Sequence, residues 1–280
     1  MHLPTRPLGR TGHAATLFAL GGEGVLRTHG REREAARVIE RALDLGVNYC
    51  DTAPAYDSSM DYHGATLGER RRGLFLASKT ADRTLDGSRR VLDQSLRRLR
   101  TDRLDLWQLH DLRTMSELDA IFSKRGAIHA LTAAREEGLV RFLGLTGHHD
   151  PEVLLEAMRR FDFDALLVAL NAADVHRRSF ARLVLPEAAR RGMGVIAMKV
   201  FGGGRLAEPG GPCSLDEAFG YALSLEGVSC AVIGCSTPGE VEANAALARR
   251  FAPIPDEGLR RIEQQTLPRQ AELTYYKRTG

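Results

Sequence analysis

The run Leu74-Phe75-Leu76-Ala77-Ser78-Lys79-Thr80 is followed by a helical pattern over 87–100 and then by Leu104-Asp105-Leu106-Trp107-Gln108-Leu109-His110. Both runs are continuously apolar rather than alternating, which is the mark of strands covered on both faces. An apolar strand, an amphipathic crossover and a second apolar strand make a parallel βαβ unit. The same alternation extends outward in both directions. Val47 to Ala53, Val140 to Thr146, Ala165 to Asn171, Val195 to Val200 and Cys230 to Cys235 read as further strands, with another near Thr16 to Gly21.

Between them lie helix patterns. Ala35, Val38, Ile39, Ala42 and Leu43 fall on one helical face that ends at Gly46, and Asp150-Pro151 opens a helix whose stripe is Val153, Leu154, Ala157, Met158 and Phe161. Others are expected over 126–137, 179–191, 214–225 and 238–250. Eight strands alternating with helices over 280 residues predict an α/β fold, a (β/α)8 TIM barrel forming one domain over 1–280. An open doubly wound sheet usually has fewer strands and a Gly-x-Gly-x-x-Gly turn after the first, whereas Gly21-Gly22-Glu23-Gly24 has the wrong spacing. Two segments lie outside the repeat. Pro4 to Gly12 is expected to form an N-terminal hairpin plugging the barrel floor, and Asp256 to Thr266 an extra C-terminal helix.

Composition narrows the class. Hydrophobic residues make up 43% and charged residues 27%, ordinary for a folded globular chain. No apolar run approaches the roughly 18 residues of a membrane span, and Met1 to Gly12 has no signal-type apolar core, so the expectation is a cytoplasmic protein without membrane partners. The 39 basic and 36 acidic residues are interspersed, and the Arg97, Arg98, Arg100, Arg103 cluster reads as a solvated helix face, so no nucleic-acid partner is expected. Cys50, Cys213, Cys230 and Cys235 show no metal-ligand spacing with one another or with histidine, which predicts free thiols and no metal. Only four of the 39 basic residues are lysines (Lys79, Lys124, Lys199, Lys277), so a lysine in this chain needs a reason.

In such a barrel the strand ends and the loops after them face the active site; here they supply Asp51, Tyr56, Lys79, His110, Thr146, His148, Asn171, Lys199 and Ser236. Lys79 ends a strand in which an unpaired ammonium is costly to bury, and Asp51 on the neighbouring strand is its natural anion. A lone Asp–Lys pair reads equally well as a purely structural ion pair. Tyr56 tips the balance: a phenol beside an ammonium is expected to have a lowered pKa and to serve as a general acid near neutral pH. His110 alone reads as a core residue, and beside the other three as a group that orients a carbonyl.

At these residues the chain resembles the aldo-keto reductase superfamily. The resemblance is carried by Gly46 to Tyr56, Leu76 to Thr80, Asp105 to His110, Leu143 to Gly147 and Val232 to Asn244, with Pro7 to Gly12 similar to the family's N-terminal hairpin. It implies an oxidoreductase in which hydride passes between a nicotinamide dinucleotide and a carbonyl or alcohol, with Tyr56 as proton donor, Lys79 and Asp51 tuning it and His110 holding the small-molecule substrate. The family's dinucleotide lies extended across the mouth of the barrel. Thr146-Gly147 stands where the family has Ser-Asn for the carboxamide, and Asn171 is expected either to assume part of that role or to cap its loop. Met198 stands where an aromatic ring usually stacks on nicotinamide. Gly202, Gly203 and Gly204 could present backbone N–H groups to a pyrophosphate or form a mobile loop, with Lys199 or Arg205 in reach of a phosphate. Gly234, Ser236, Thr237 and Asn244 correspond to the family's adenosine end, where Glu240 replaces an arginine common on the 2′-phosphate. Family habit favours NADP(H) and Glu240 favours NAD(H); the expectation leans to NADP(H). Two further readings are a regulatory or redox-sensing barrel with little turnover and a Schiff-base lyase using Lys79 or Lys199. The substrate, the direction of reaction and the oligomeric state are left open.

Overall fold

The computed structural model describes residues 2–277. Its centre is a closed barrel of eight strands: β1 Phe18–Gly24, β2 Tyr49–Asp51, β3 Phe75–Thr80, β4 Leu104–Leu109, β5 Val140–Gly147, β6 Ala165–Ala169, β7 Gly194–Met198 and β8 Val228–Cys235. Every neighbouring pair is parallel, and β8 returns to pair with β1. Helices connect the strands, as the alternation predicts. Among the described residues no helix is long and apolar enough to cross a membrane.

Period-two alternation sorts the strand residues into two cores. Tyr49, Phe75, Ala77, Leu106, Leu167, Ile196 and Cys230 pack together inside the barrel. Cys50, Leu76, Trp107 and Leu109 face outward and pack with helix residues such as Ala35, Val38, Ile39, Leu92, Leu131 and Leu154. Both strand faces are thus buried, which is why the runs in the sequence are continuous. The four cysteines are free and buried, and burial pushes the Cys50 thiol up to about 12.

The N-terminal segment forms the expected plug. Thr5–Pro7 pairs antiparallel with Ala14–Thr16, and the turn between them puts fully buried Leu8 into the interior cluster. An added Cβ on Gly9, at φ +50, would lie 2.2 Å from Gly194 N, so the turn seats directly on the start of β7. With the floor closed by apolar side chains, polar groups in the interior can be reached only from the other end. The terminal helix spans Asp256–Thr266 as expected. The helix expected over 179–191 is instead split into Phe180–Leu183 and Leu185–Arg190. Pro186 lacks an N–H and its ring crowds the preceding turn, which accounts for the break.

His63 lies in the helix Ser59–Thr66 and is fully buried. Its Nδ1 pairs with the Ser59 carbonyl at 2.8 Å, and its Nε2 has no partner. Burial, only partly offset by that bond, lowers its pKa from 6.5 to about 4. The unfolded chain therefore takes up a proton at His63 as the pH falls below 6.5 while the folded chain does not, so stability present above pH 6.5 is lost toward pH 4. A shift of this size corresponds to about 3 kcal/mol. Other buried histidines act in the same direction, so the difference between proteins isolates this one. His63→Leu should make the fall in unfolding free energy between pH 6.5 and 4.5 shallower by about one proton, measured by urea unfolding; an unchanged slope would mean that His63 titrates normally.

Candidate active site

The alternation that places Tyr49 and Phe75 in the apolar floor places Asp51 and Lys79 above them, and Leu106 is followed in the same way by Gln108. All three polar residues are buried, Lys79 completely. Lys79 Nζ donates to Asp51 Oδ1 and to the Thr52 carbonyl at 2.9 Å, while Gln108 Nε2 donates to Asp51 Oδ2 at 3.1 Å. Burial alone would lower the Lys79 pKa, but the Asp51 charge and hydrogen bond outweigh it and hold the ammonium above its ordinary value. Lys79 therefore remains protonated.

Tyr56 follows β2 in a loop closed by bonds from its N–H to the Ala53 carbonyl (3.0 Å) and from the Ser59 N–H to its own carbonyl (2.8 Å). Its ring centroid is 4.7 Å from Lys79 Nζ and 5.5 Å from Arg27 Cζ, and the His110 ring stands edge-on at 5.8 Å and 87°. A Cβ at Gly22 would fall 2.7 Å from Tyr56 Cδ2, so only glycine leaves the ring where it is. The expected lowering of the phenol pKa is not found. Burial raises it, against the opposing pull of Lys79. Tyr56 thus rests as a neutral donor, with an ammonium placed to stabilise the phenolate it becomes.

His110 is the fourth member. Its N–H donates to the Thr80 carbonyl at 2.8 Å, and Arg83 Nη2 donates to its carbonyl at 2.9 Å. Burial first, and then the Lys79 charge, lower its pKa to about 3, so the imidazole is neutral.

Asp51, Tyr56, Lys79 and His110 line a cleft of about 760 Å³ at the open end of the barrel. Thr146, His148, Met198, Lys199, Gly203, Gly204 and Gly234 line it as well. Thr146 Oγ accepts the Asp111 N–H at 2.8 Å. Lys199 sits at φ +55, with its Nζ 5.3 Å from the Tyr276 ring centroid; it forms no ion pair among the described residues, and burial lowers its pKa. Asn171, Gly202, Arg205, Ser236, Thr237, Glu240 and Asn244 lie outside the cleft lining. Asn171 is committed to its loop: Nδ2 donates to the Lys199 carbonyl (2.9 Å) and to Tyr276 OH (3.0 Å), and Oδ1 accepts from the N–H groups of Ala173 and Asp174. Gly202 and Gly204 spend their N–H groups on the Lys199 and Phe201 carbonyls, and Arg205 lies over the Tyr275 ring at 5.1 Å. At the start of the helix Pro238–Arg250, Thr237 accepts the Glu240 N–H, and the Glu240 carboxylate accepts the Ser236 N–H at 2.8 Å. Asn244 Nδ2 points to Cys235 Sγ at 3.4 Å.

Several residues in the cleft or directly behind it were not singled out by the sequence reading. Gln108 could have been reached by stepping two residues from Leu106, and Asp111 by stepping one from His110. Glu23 at the end of β1 and Arg27 in the turn after it, paired at 2.9 Å, and Arg113 in the loop after β4 carry no such signal. Tyr275 comes from the tail, which Lys277 anchors. Its buried Nζ lies 2.6 Å from Asp174 Oδ1 and donates to the carbonyls of Asp174 and Arg178. The reason expected for each lysine is thus visible at Lys79 and Lys277.

The sequence profile described as the Aldo/keto reductase family matches residues 18–211. D-threo-aldose 1-dehydrogenase of a Pseudomonas species is 30% identical over 215 residues, covering 62% of each chain. L-galactose dehydrogenase of Arabidopsis thaliana is 26% identical over 287 residues, covering 86% of each chain. An uncharacterized oxidoreductase of Bacillus subtilis is 27% identical over 167 residues, and that match spans about half of its length, 52%. Among solved structures, the holo form of an aldo-keto reductase from Bacillus halodurans superimposes with a TM-score of 0.80 over 94% of this chain and 96% of its own, at 23% identity, and so shares the fold. With the profile match covering well over half of its length, this chain belongs to the aldo/keto reductase family.

Proposed function

We propose that this chain is a nicotinamide-dependent oxidoreductase interconverting a carbonyl and an alcohol, with Tyr56 as the proton donor. The observation that carries this reading is a neutral, half-buried Tyr56 set against the Lys79 ammonium, with a neutral His110 edge-on to it in an open cleft. The relatives named as dehydrogenases support it.

The cleft fits a dinucleotide in size, since ligand sites commonly enclose about 300–1,000 Å³. Thr146 and Met198 would flank a nicotinamide, and Lys199 is the cation available to a pyrophosphate. A bound nicotinamide supplies or accepts the hydride. In reduction, Tyr56 gives its phenolic proton to the carbonyl oxygen as negative charge develops there. Lys79, held by Asp51, stabilises the resulting phenolate. His110, being neutral, orients the same oxygen through its ring N–H without adding charge. In oxidation the phenolate takes the hydroxyl proton back. The Asp51 ion pair counts against imine formation at Lys79, which needs a free amine. A rim of Glu23, Arg27, Asp111, Arg113 and His148 suits a polyhydroxylated carbonyl, in keeping with relatives named for sugars.

For the cofactor, the local chemistry reverses the lean to NADP(H). The Glu240 carboxylate already holds the Ser236 N–H at the start of its helix, the place a 2′-phosphate would take, and would repel that phosphate. We therefore favour NAD(H).

Tyr56→Phe should lower kcat/KM for aldehyde reduction, followed at 340 nm, by about 10²- to 10⁴-fold while leaving dinucleotide affinity by calorimetry nearly unchanged. Turnover close to wild type would remove Tyr56 from its assigned role. Calorimetric titration with both reduced dinucleotides should show NADH binding at least as tightly as NADPH, and Glu240→Arg should shift the preference toward NADPH. Clearly tighter NADPH binding by the wild type would contradict the cofactor assignment.

A further inference from the structure

Two loops that the proton-transfer residues do not use meet at the rim of the cleft. Asp111 lies just beyond β4, and His148-His149 lie just beyond β5. Asp111 is held at φ +53, in the left-handed region that aspartate adopts more readily than most residues. The bond from its N–H to Thr146 Oγ1 ties this loop to the end of β5, directly before the histidines. His148 Nε2 and His149 Nε2 lie 3.2 and 3.4 Å from the same atom, Asp111 Oδ1. Neither approach has hydrogen-bond geometry: Asp111 Oδ1 and His149 Nε2 are both left without a partner. One ligand atom from each residue falls within 4.8 Å of the other two.

We propose that Asp111, His148 and His149 bind one divalent transition-metal ion of the zinc, cobalt and nickel class at the cleft rim. Metal–ligand bonds of about 2.0–2.2 Å at tetrahedral or octahedral angles separate adjacent donors by about 2.8–3.6 Å, a range that includes both measured contacts. Two imidazoles and one carboxylate suit borderline metals and disfavour magnesium and calcium, which seek all-oxygen shells. The carboxylate is already oriented for this role. Arg113 donates from Nε (2.8 Å) and Nη2 (2.6 Å) to Oδ2, which leaves Oδ1 directed at the histidines, as outer groups do around metal ligands. Asp111 and His148 also line the cleft, so the remaining coordination positions face it and would take water or a pair of neighbouring substrate oxygens. The inference does not depend on the reductase reading, because none of the three ligands belongs to the set Asp51, Tyr56, Lys79 and His110. The cysteine spacings that led to the expectation of no metal do not bear on a site built from two separate loops.

The test is calorimetry of the metal-stripped full chain with Zn²⁺, alongside the visible absorption of Co²⁺ added to the same protein. One ion per chain is expected, with a rise in melting temperature on binding. His149→Gln and Asp111→Asn should each weaken binding about tenfold or more and lose the Co²⁺ band, while exposed His129→Ala leaves both unchanged. Far-UV circular dichroism without metal checks that the variants fold, and Arg113→Ala, which keeps all three ligands, should weaken binding to a smaller degree. Absence of one-to-one binding in millimolar metal, or binding that His149→Gln and Asp111→Asn leave intact, would overturn the site.

Discussion

A lysine ammonium enclosed in a barrel has no water to solvate it, and everything at the mouth of this barrel follows from how that charge is met. Asp51 supplies the counter-charge, Gln108 binds the carboxylate oxygen that Lys79 does not use, and the Thr52 carbonyl takes another ammonium proton. Because each polar atom of the pair is matched, the charge can persist under Tyr56. The plug at the floor is part of the same arrangement: Leu8, Tyr49, Phe75 and Leu106 form the dry layer beneath the ion pair. A low-dielectric floor and an open top direct the field of Lys79 toward the cleft.

The electrostatics separate the roles of the three titratable neighbours. Lys79 keeps its proton because a carboxylate is bound to it. Tyr56 keeps its proton because burial penalises the phenolate more than the ammonium favours it. His110 stays neutral because burial and the same ammonium both act against an imidazolium. One fixed positive charge therefore sits beneath two neutral donors, an arrangement complementary to an oxygen that gains negative charge during reaction.

Much of this was legible in the sequence because it depends on period and order. Continuous apolar runs identify strands buried on both faces, and the last inward residue of each run identifies what stands above the floor. That logic reaches Asp51 and Lys79 directly, and it reaches Gln108 when stepped from Leu106. Quantities that depend on depth were not legible. The sign of the Tyr56 shift turns on burial that no spacing records, and Asn171 looked available for a ligand until its four hydrogen bonds to neighbouring groups were visible. Contacts between distant loops were equally hidden. Asp111 meets His148 and His149 only because β4 and β5 are neighbours in the barrel, and Tyr275 reaches the cleft only because Lys277 finds Asp174. The rarity of lysine was the single clue to that last pair.

The central claim is that Lys79 acts on the reaction through Tyr56. A double-mutant cycle on kcat/KM for aldehyde reduction tests it most directly, using the wild type, Tyr56→Phe, Lys79→Met and the double variant. If the ammonium works by stabilising the phenolate, removing it from a protein that already lacks the phenol should cost little, and the double variant should be about as slow as Tyr56→Phe alone. Losses that instead multiply would show that Lys79 and Tyr56 contribute independently, and would contradict the account.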